Sequence, residues 1–305
     1  MREVLTFEEF TDYIRENLLI HWWEDREITI KKVTKNNGRQ LTSLTVTRVG
    51  QTFFPTFYLE DFYEYYRQDP KNHRILQEIR ESFENAEKVS SHMDIEKMFS
   101  YEAVCDKIVF RVINYEKNKE TLIDCPYVRM YDLAVTFRIL CSMDDISVSS
   151  TLITNDNLED WGVSKEEVLL RAHWNTRRMF PVKLRSMAEA LIHFEEEEIK
   201  ADSQDCFSHM MYILSNEQLM NGASVILYEN LLEELSDKLK ASYYLLPSSI
   251  HEMILIPDFL GLDENQLLEM VYEVNRSLIE EEDFLSDSVY YYNRERSRLE
   301  CYDAS

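Results

Sequence analysis

Apolar and polar residues alternate with recognisable periods along most of the chain, and the periods predict its elements. Phe7, Phe10, Ile14 and Leu18 recur with helical spacing. Thr6 and Glu9 ahead of them have the residue types of a capping box, in which hydroxyl and carboxylate satisfy free backbone donors. Ile28 and Ile30 alternate with polar residues, as do Leu44 and Val46. Between them Asn36, Asn37 and Gly38 tolerate the positive φ of a hairpin turn. A third extended stretch, Phe53 to Tyr58, carries Pro55 and reads as an edge or a bulge. Two helices follow, the second starting at Asp69-Pro70 and burying Ile75, Ile79 and Phe83. Glu87 to Asp94 is polar and reads as a linker, and Val104, Ile108 and Val112 continue a helical stripe.

Strict alternation of Leu133, Val135, Phe137, Ile139 and Cys141 marks a strand, and Ile146 to Ile153 a second. Ser164 and Glu167 cap a helix running to about Met179. Met210 to Leu214 reads as a strand, and Leu227, Leu231, Leu235 and Leu239 as one helical face. Tyr243 to Leu246 and Met253 to Ile256 are strands joined through Pro247, Ser248 and Ser249. A last helix starts after Asp263, with Gln266 completing the cap, and buries Leu267, Val271 and Val274, and Val289 to Tyr292 adds a closing strand. Helices and strands are interspersed without a βαβ period, so the fold class is α+β. The expected division is 1–125, a small antiparallel sheet with helices, and 126–305, a larger mixed or antiparallel sheet packed with helices.

Composition narrows the function classes. The formal net charge is -24. Such a field repels phosphate backbones and disfavours direct nucleic-acid binding. Five cysteines, an odd number with no CxxC pair, fit reduced thiols. No apolar run reaches the ~18 residues that span a bilayer, and the N-terminus lacks a signal-peptide core, so the expectation is a cytoplasmic protein with no membrane association. Seven histidines are scattered without ligand spacing, and the acidic run Glu195 to Glu198 has no fixed geometry, so neither a metal nor a cofactor is expected. Trp22-Trp23 and the run Tyr290 to Tyr292 are aromatic clusters, packing residues if half-buried and an interaction surface if exposed.

Candidate chemistry centres on Ser248, Ser249, His251 and Glu252. Serine can act as a nucleophile and histidine as its base. Against this, neighbours on a strand point to opposite faces, so His251 and Glu252 do not pair there. No G-x-S-x-G elbow surrounds either serine, and Leu255 stands where H-E-x-x-H needs its second histidine. Asn221 and Gly222 suit a helix start whose free amides hold an anion or serve as a simple cap. Asn114, Tyr115 and Lys117 are candidate partner contacts or a solvated helix end.

Several strings resemble one bacterial family catalogued only as a domain of unknown function (family 5688). They are ITIKKVTKNNG from Ile28, VINYEKN from Val112, WGVS from Trp161, LPSSIHEMILIP from Leu246 and LSDSVYYY from Leu285. The resemblance covers nearly the whole chain and implies a bacterial cytosolic protein, with no catalytic residues assigned. Met210 to Ile256 is also similar to a second uncharacterised bacterial family, in which a strand, an Asn-containing loop, a helix and a hairpin recur. That likeness concerns fold alone.

The leading reading is a non-catalytic binding protein with an acidic surface, whose partner is a basic or aromatic-binding protein. One alternative is a hydrolase or transferase with a site around Ser248, Ser249 and His251. A second is an acidic nucleic-acid mimic that binds a basic protein. The sequence leaves the oligomeric state open.

Overall fold

The computed structural model describes residues 4–21, 26–48, 56–69, 74–90, 100–143, 148–188 and 211–303. They form two compact units, 1–100 and 101–305, of α+β class with three antiparallel sheets.

In the first unit, helix α1 (Phe7–His21) is capped as its sequence requires. Thr6 N–H donates to Glu9 Oε2 at 2.8 Å, and Glu9 N–H donates back to Thr6 Oγ1 at 3.3 Å. Strands β1 (Arg26–Thr34) and β2 (Gln40–Arg48) pair with Ile28 opposite Val46 and Ile30 opposite Leu44. Their turn holds Asn37 at φ 58° and Gly38 at φ 80°. Strand β3 (Thr56–Tyr58) extends the sheet. Helices α2 (Leu59–Gln68) and α3 (Ile75–Ser90) complete the unit, whose core joins Phe10, Ile14, Leu44, Ile79 and Phe83. α3 runs through Ser90, so the expected linker does not begin at Glu87.

The second unit opens with a short helix α4 (Tyr101–Val104) and then strand β4 (Ile108–Asn114). This corrects the helical stripe expected from Val104 to Val112. A spacing of four fits a strand as well as a helix, and here the intervening Val109 and Ile113 are also buried, on the opposite face. β4 pairs with β6 (Leu133–Met143), which also pairs with β5 (Tyr127–Met130) and β7 (Val148–Leu152). That pairing holds residues 108–114 in the second unit, so the division falls at Ser100/Tyr101 and not near 125. A four-residue helix α5 (Lys119–Leu122) lies between β4 and β5.

Helices α6 (Asn155–Trp161) and α7 (Lys165–Met179) follow. β8 (Val182–Ser186) and β9 (Tyr212–Asn216) begin a six-stranded sheet, so this unit holds two sheets where one was expected. A 3-10 segment (Gly222–Leu227) precedes α8 (Leu231–Leu239), so the expected helical face loses Leu227. β10 (Tyr243–Ser249) and β11 (Glu252–Pro257) form the central hairpin. Pro247, Ser248 and Ser249 lie inside β10 with a bulge, and the connection is Ile250-His251. α9 (Glu264–Ser277) carries the Asp263/Gln266 box, with bonds of 2.9 and 3.1 Å. Val274, expected in the core, is 36% exposed, and Asn275 is buried in its place. β12 (Val289–Asn293) and β13 (Arg298–Tyr302) close the sheet in the order β13-β12-β10-β11-β9-β8.

Among the described residues no helix is long and apolar enough to cross a membrane. The expectations placed on Trp22, Trp23, Phe53, Pro55, Pro70, Ile146, Cys206, Met210, the acidic run from Glu195, and His73, His92, His193 and His209 lie outside the described residues.

Candidate functional site

The hairpin turn places His251 where three chain segments meet. Its Nδ1 accepts the Asn221 N–H at 3.1 Å, and its Nε2 lies 3.2 Å from Asp283 Oδ1. A backbone amide has only a proton to give, so Nδ1 is the acceptor and the neutral ring carries its hydrogen on Nε2, facing the carboxylate. Both ring nitrogens are then committed. Ser248 Oγ donates to Glu252 Oε1 at 3.4 Å, and Ser249 Oγ accepts the His251 N–H at 3.0 Å. Neither hydroxyl is bonded to the imidazole, so the structure brings these residues together without assembling a nucleophile and its base. His251→Leu is expected to cost about 1–2 kcal/mol in urea denaturation, because the Asn221 amide loses its acceptor and Asp283 its donor. A change under ~0.5 kcal/mol would mean the ring carries no structural weight.

Asn221 and Gly222 pack directly beneath this turn. Asn221 sits at φ 53°, and Gly222 opens the 3-10 segment. The Asn221 amide serves His251, and the Ala223 amide donates to Ile250 O at 3.2 Å. Two of the donors that suggested an anion site at a helix start are therefore spent on the hairpin. Ser215 Oγ donates to His251 O at 2.8 Å from below.

Asn114 and Lys117 reach the same loop as His251 from another side, while Tyr115 does not. Asn114 is buried, its Nδ2 donating to Leu285 O at 2.9 Å and its Oδ1 accepting the Lys117 N–H at 2.9 Å. Lys117 Nζ lies 4.7 Å from the Phe284 ring centre and 3.8 Å from Glu281. Tyr115 is covered by the Arg129 guanidinium at 4.1 Å. The Asn114 and Lys117 contacts hold the 281–285 loop, which in turn presents Asp283 to His251.

The open edge of β4 is closed by side chains. Phe110 N–H donates to Thr176 Oγ1 and Val112 N–H to Ser224 Oγ, both at 3.0 Å, while Asn175 Nδ2 donates to Ile108 O at 2.9 Å. Beside this edge a cleft of about 20 Å³ is lined by Arg111, Arg138, Asn221 and Ser224.

Residues 7–294 match the sequence profile of DUF5688, a family of unknown function. The chain belongs to the DUF5688 family. No curated protein and no solved structure matches it.

The DUF5688 protein has a second, larger concavity on α7. A groove of about 830 Å³ is lined by Leu170, His173, Trp174, Arg177, Arg178 and Tyr228, among others. Trp174 is 75% exposed and Leu170 62%. The two are four residues apart on one helical face, while Val168 and Ala172 of the same helix are buried in the core. Burial against Phe110 pushes the His173 imidazole below its ordinary pKa. Arg177 and Arg178 are anchored on the carbonyls of Glu229 and Asp106 at 2.8 and 3.3 Å. Among the described residues of the DUF5688 protein, no three His, Cys, Asp or Glu side chains come together as metal ligands.

Sequence reasoning missed Arg111, Arg138, Asp283 and Trp174. A signal existed for three of them. Arg111 and Arg138 are each the one charged residue in a mostly apolar strand run, IVFRVIN and LAVTFRIL. Leu170 and Trp174 are large apolar residues on the face of α7 opposite its buried one.

Proposed function

We propose that this DUF5688 protein is a non-catalytic interaction protein that docks a partner protein on the α7 groove. The observation that carries the reading is the exposure of Trp174 together with Leu170 on an apolar concavity of about 830 Å³. Exposed apolar patches of this kind mark interaction surfaces, and tryptophan is among the commonest anchors of binding energy. The partner is a protein with a pocket for the indole, and its basic character lies outside the part that meets Arg177 and Arg178, since a net charge of -24 attracts cationic surfaces over long range. The commitment of both His251 nitrogens to Asn221 and Asp283 supports a non-catalytic role.

The experiment is affinity capture from lysate with the full chain at low and high salt, with wild type and Trp174→Ala in parallel. Wild type is expected to retain a partner at low salt and lose much of it at high salt. Trp174→Ala is expected to weaken binding by about 2 kcal/mol or more, roughly 30-fold, with stability within about 0.5 kcal/mol of wild type. Equal capture by the variant removes the groove from the account, and no partner in either salt removes the reading.

A further inference from the structure

Arg111 and Arg138 share one face of the four-stranded sheet. Arg111 stands opposite Thr136 and Arg138 opposite Val109, so the two cations are diagonal cross-strand neighbours. Arg138 is held by Ser150, its Nε donating to the hydroxyl at 2.8 Å and its Nη2 to the carbonyl at 3.0 Å. Arg111 has no such anchor. Its Nε is buried, and its side chain makes no hydrogen bond or ion pair with the described residues. Burial, and after it the Arg138 charge, push this guanidinium down to about 10, while Glu282 and Asp283 pull it up. At neutral pH it remains a cation. A buried charge with no hydrogen-bonded partner is costly even with the carboxylates of Glu282 and Asp283 in range, and arginine does not escape by shedding its proton there.

The cleft of about 20 Å³ lies against both arginines. Its lining contains no carboxylate. Ser224 Oγ accepts from Val112 N–H, which leaves the hydroxyl hydrogen to donate. A volume of this size is close to the ~10–15 Å³ that one water-sized centre needs, so the cleft admits the oxygen end of a compact group and nothing bulky.

The geometry points to a carboxylate-binding site in this cleft, with the Arg111 guanidinium fork taking the two carboxylate oxygens and Arg138 supplying a second positive charge. Carboxylate and phosphate both match a guanidinium fork, and the planar carboxylate is the smaller of the two. The group can come from a small free acid or from the carboxylate of a peptide.

The test uses the full chain with 15N-labelled arginine, titrated with sodium formate, sodium acetate, an acetylated dipeptide with a free C-terminus, or phosphate. Sodium chloride keeps the ionic strength constant. The Arg111 Nε–H resonance, assigned through its own side-chain carbons, is expected to move saturably with at least one carboxylate. Saturation by formate or acetate assigns a free acid, and saturation by the dipeptide alone assigns a peptide terminus; either supports the site. By calorimetry Arg111→Gln is expected to bind about 10- to 100-fold more weakly, with Arg111→Lys between, because it keeps the charge without the fork. The wild-type resonance needs no variant, so the test stands even where Arg111→Gln does not fold. No saturable shift with any carboxylate overturns the site, as does saturation by phosphate alone or undiminished binding by a folded Arg111→Gln.

Discussion

Replacing Asp132 by alanine is expected to destabilise the second unit by about 3 kcal/mol or more, lowering its melting temperature by about 6–12 °C. One carboxylate collects three hydroxyl donors, two from the loop that leads into β12 and one from β12 itself. Ser286 Oγ and Tyr290 OH donate to it at 2.5 Å, and Ser288 Oγ at 3.2 Å. Tyr290 is fully buried, and burial together with the Asp132 charge holds its phenol protonated, well above its ordinary pKa. The phenol therefore keeps a hydrogen that needs an acceptor. Alanine at 132 orphans that hydrogen inside the core, and a buried unsatisfied donor costs more than the net value of the bond it lost. The contact also spans 158 residues of sequence, fixing the β5–β6 turn to the last hairpin.

The readout is local. Hydrogen exchange at Val289 to Asn293 should lose protection in Asp132→Ala in step with the unfolding free energy. Tyr290→Phe should cost only about 1 kcal/mol, since the carboxylate keeps its two serines. The double variant should then lose less than the sum of the singles, because no phenol is left to orphan. Strict additivity, or a single-variant cost below ~0.5 kcal/mol, would show that the carboxylate does not hold the loop.

The contrast between Asp132 and the helix caps explains what the sequence made legible. Thr6 with Glu9, Asp263 with Gln266, and Ser164 with the Glu167 amide interact across three residues, so the pattern and the contact are the same object. The turn at Asn37 and Gly38 is local in the same way. The stripe from Val104 to Val112 was ambiguous for a geometric reason, since a spacing of four serves both periods and only the burial of Val109 and Ile113 selects a strand. The strand then moved the unit boundary with it, because β4 belongs to β6. Pro247 misled differently. Proline suggests a turn, but β10 accommodates it at a bulge beside Ser249, and the chain reverses at His251 instead.

Site residues were legible as types and not as partners. His251, Asn221 and Gly222 stood out singly, yet the bonds that define them span 30 residues to Asn221 and 32 to Asp283. No local pattern encodes such a meeting. Arg111 is the informative case. An arginine in a mostly apolar strand is a visible signal without a meaning of its own, and the meaning comes from a second arginine on the paired strand and from a lining without carboxylates.

Gly222 carries the other large effect, and Gly222→Ala is expected to cost about 3 kcal/mol or more. A Cβ at this position would stand 2.0 Å from Ser215 Oγ, 2.5 Å from His251 O and 2.8 Å from Asn216 N. Two of those three atoms are backbone, in β9 and in the hairpin turn, and neither can swing aside as a side chain does. Glycine is needed here for close approach and not for its dihedral angles. Gly162 gives the comparison: it sits at φ 65° with nothing near its missing Cβ, so Gly162→Ala should pay only backbone strain, about 1–2 kcal/mol. Adding Ser215→Ala to Gly222→Ala removes the nearest contact and leaves the two backbone ones, so rescue should be partial. Displacing the turn also pulls His251 Nδ1 from the Asn221 amide, and that amide should exchange with solvent faster than in wild type. Urea denaturation orders the three variants. A Gly222→Ala protein as stable as Gly162→Ala, with the Asn221 amide still protected, would mean that the 3-10 segment and the hairpin have room between them and that the turn is not wedged in place by the absence of a side chain.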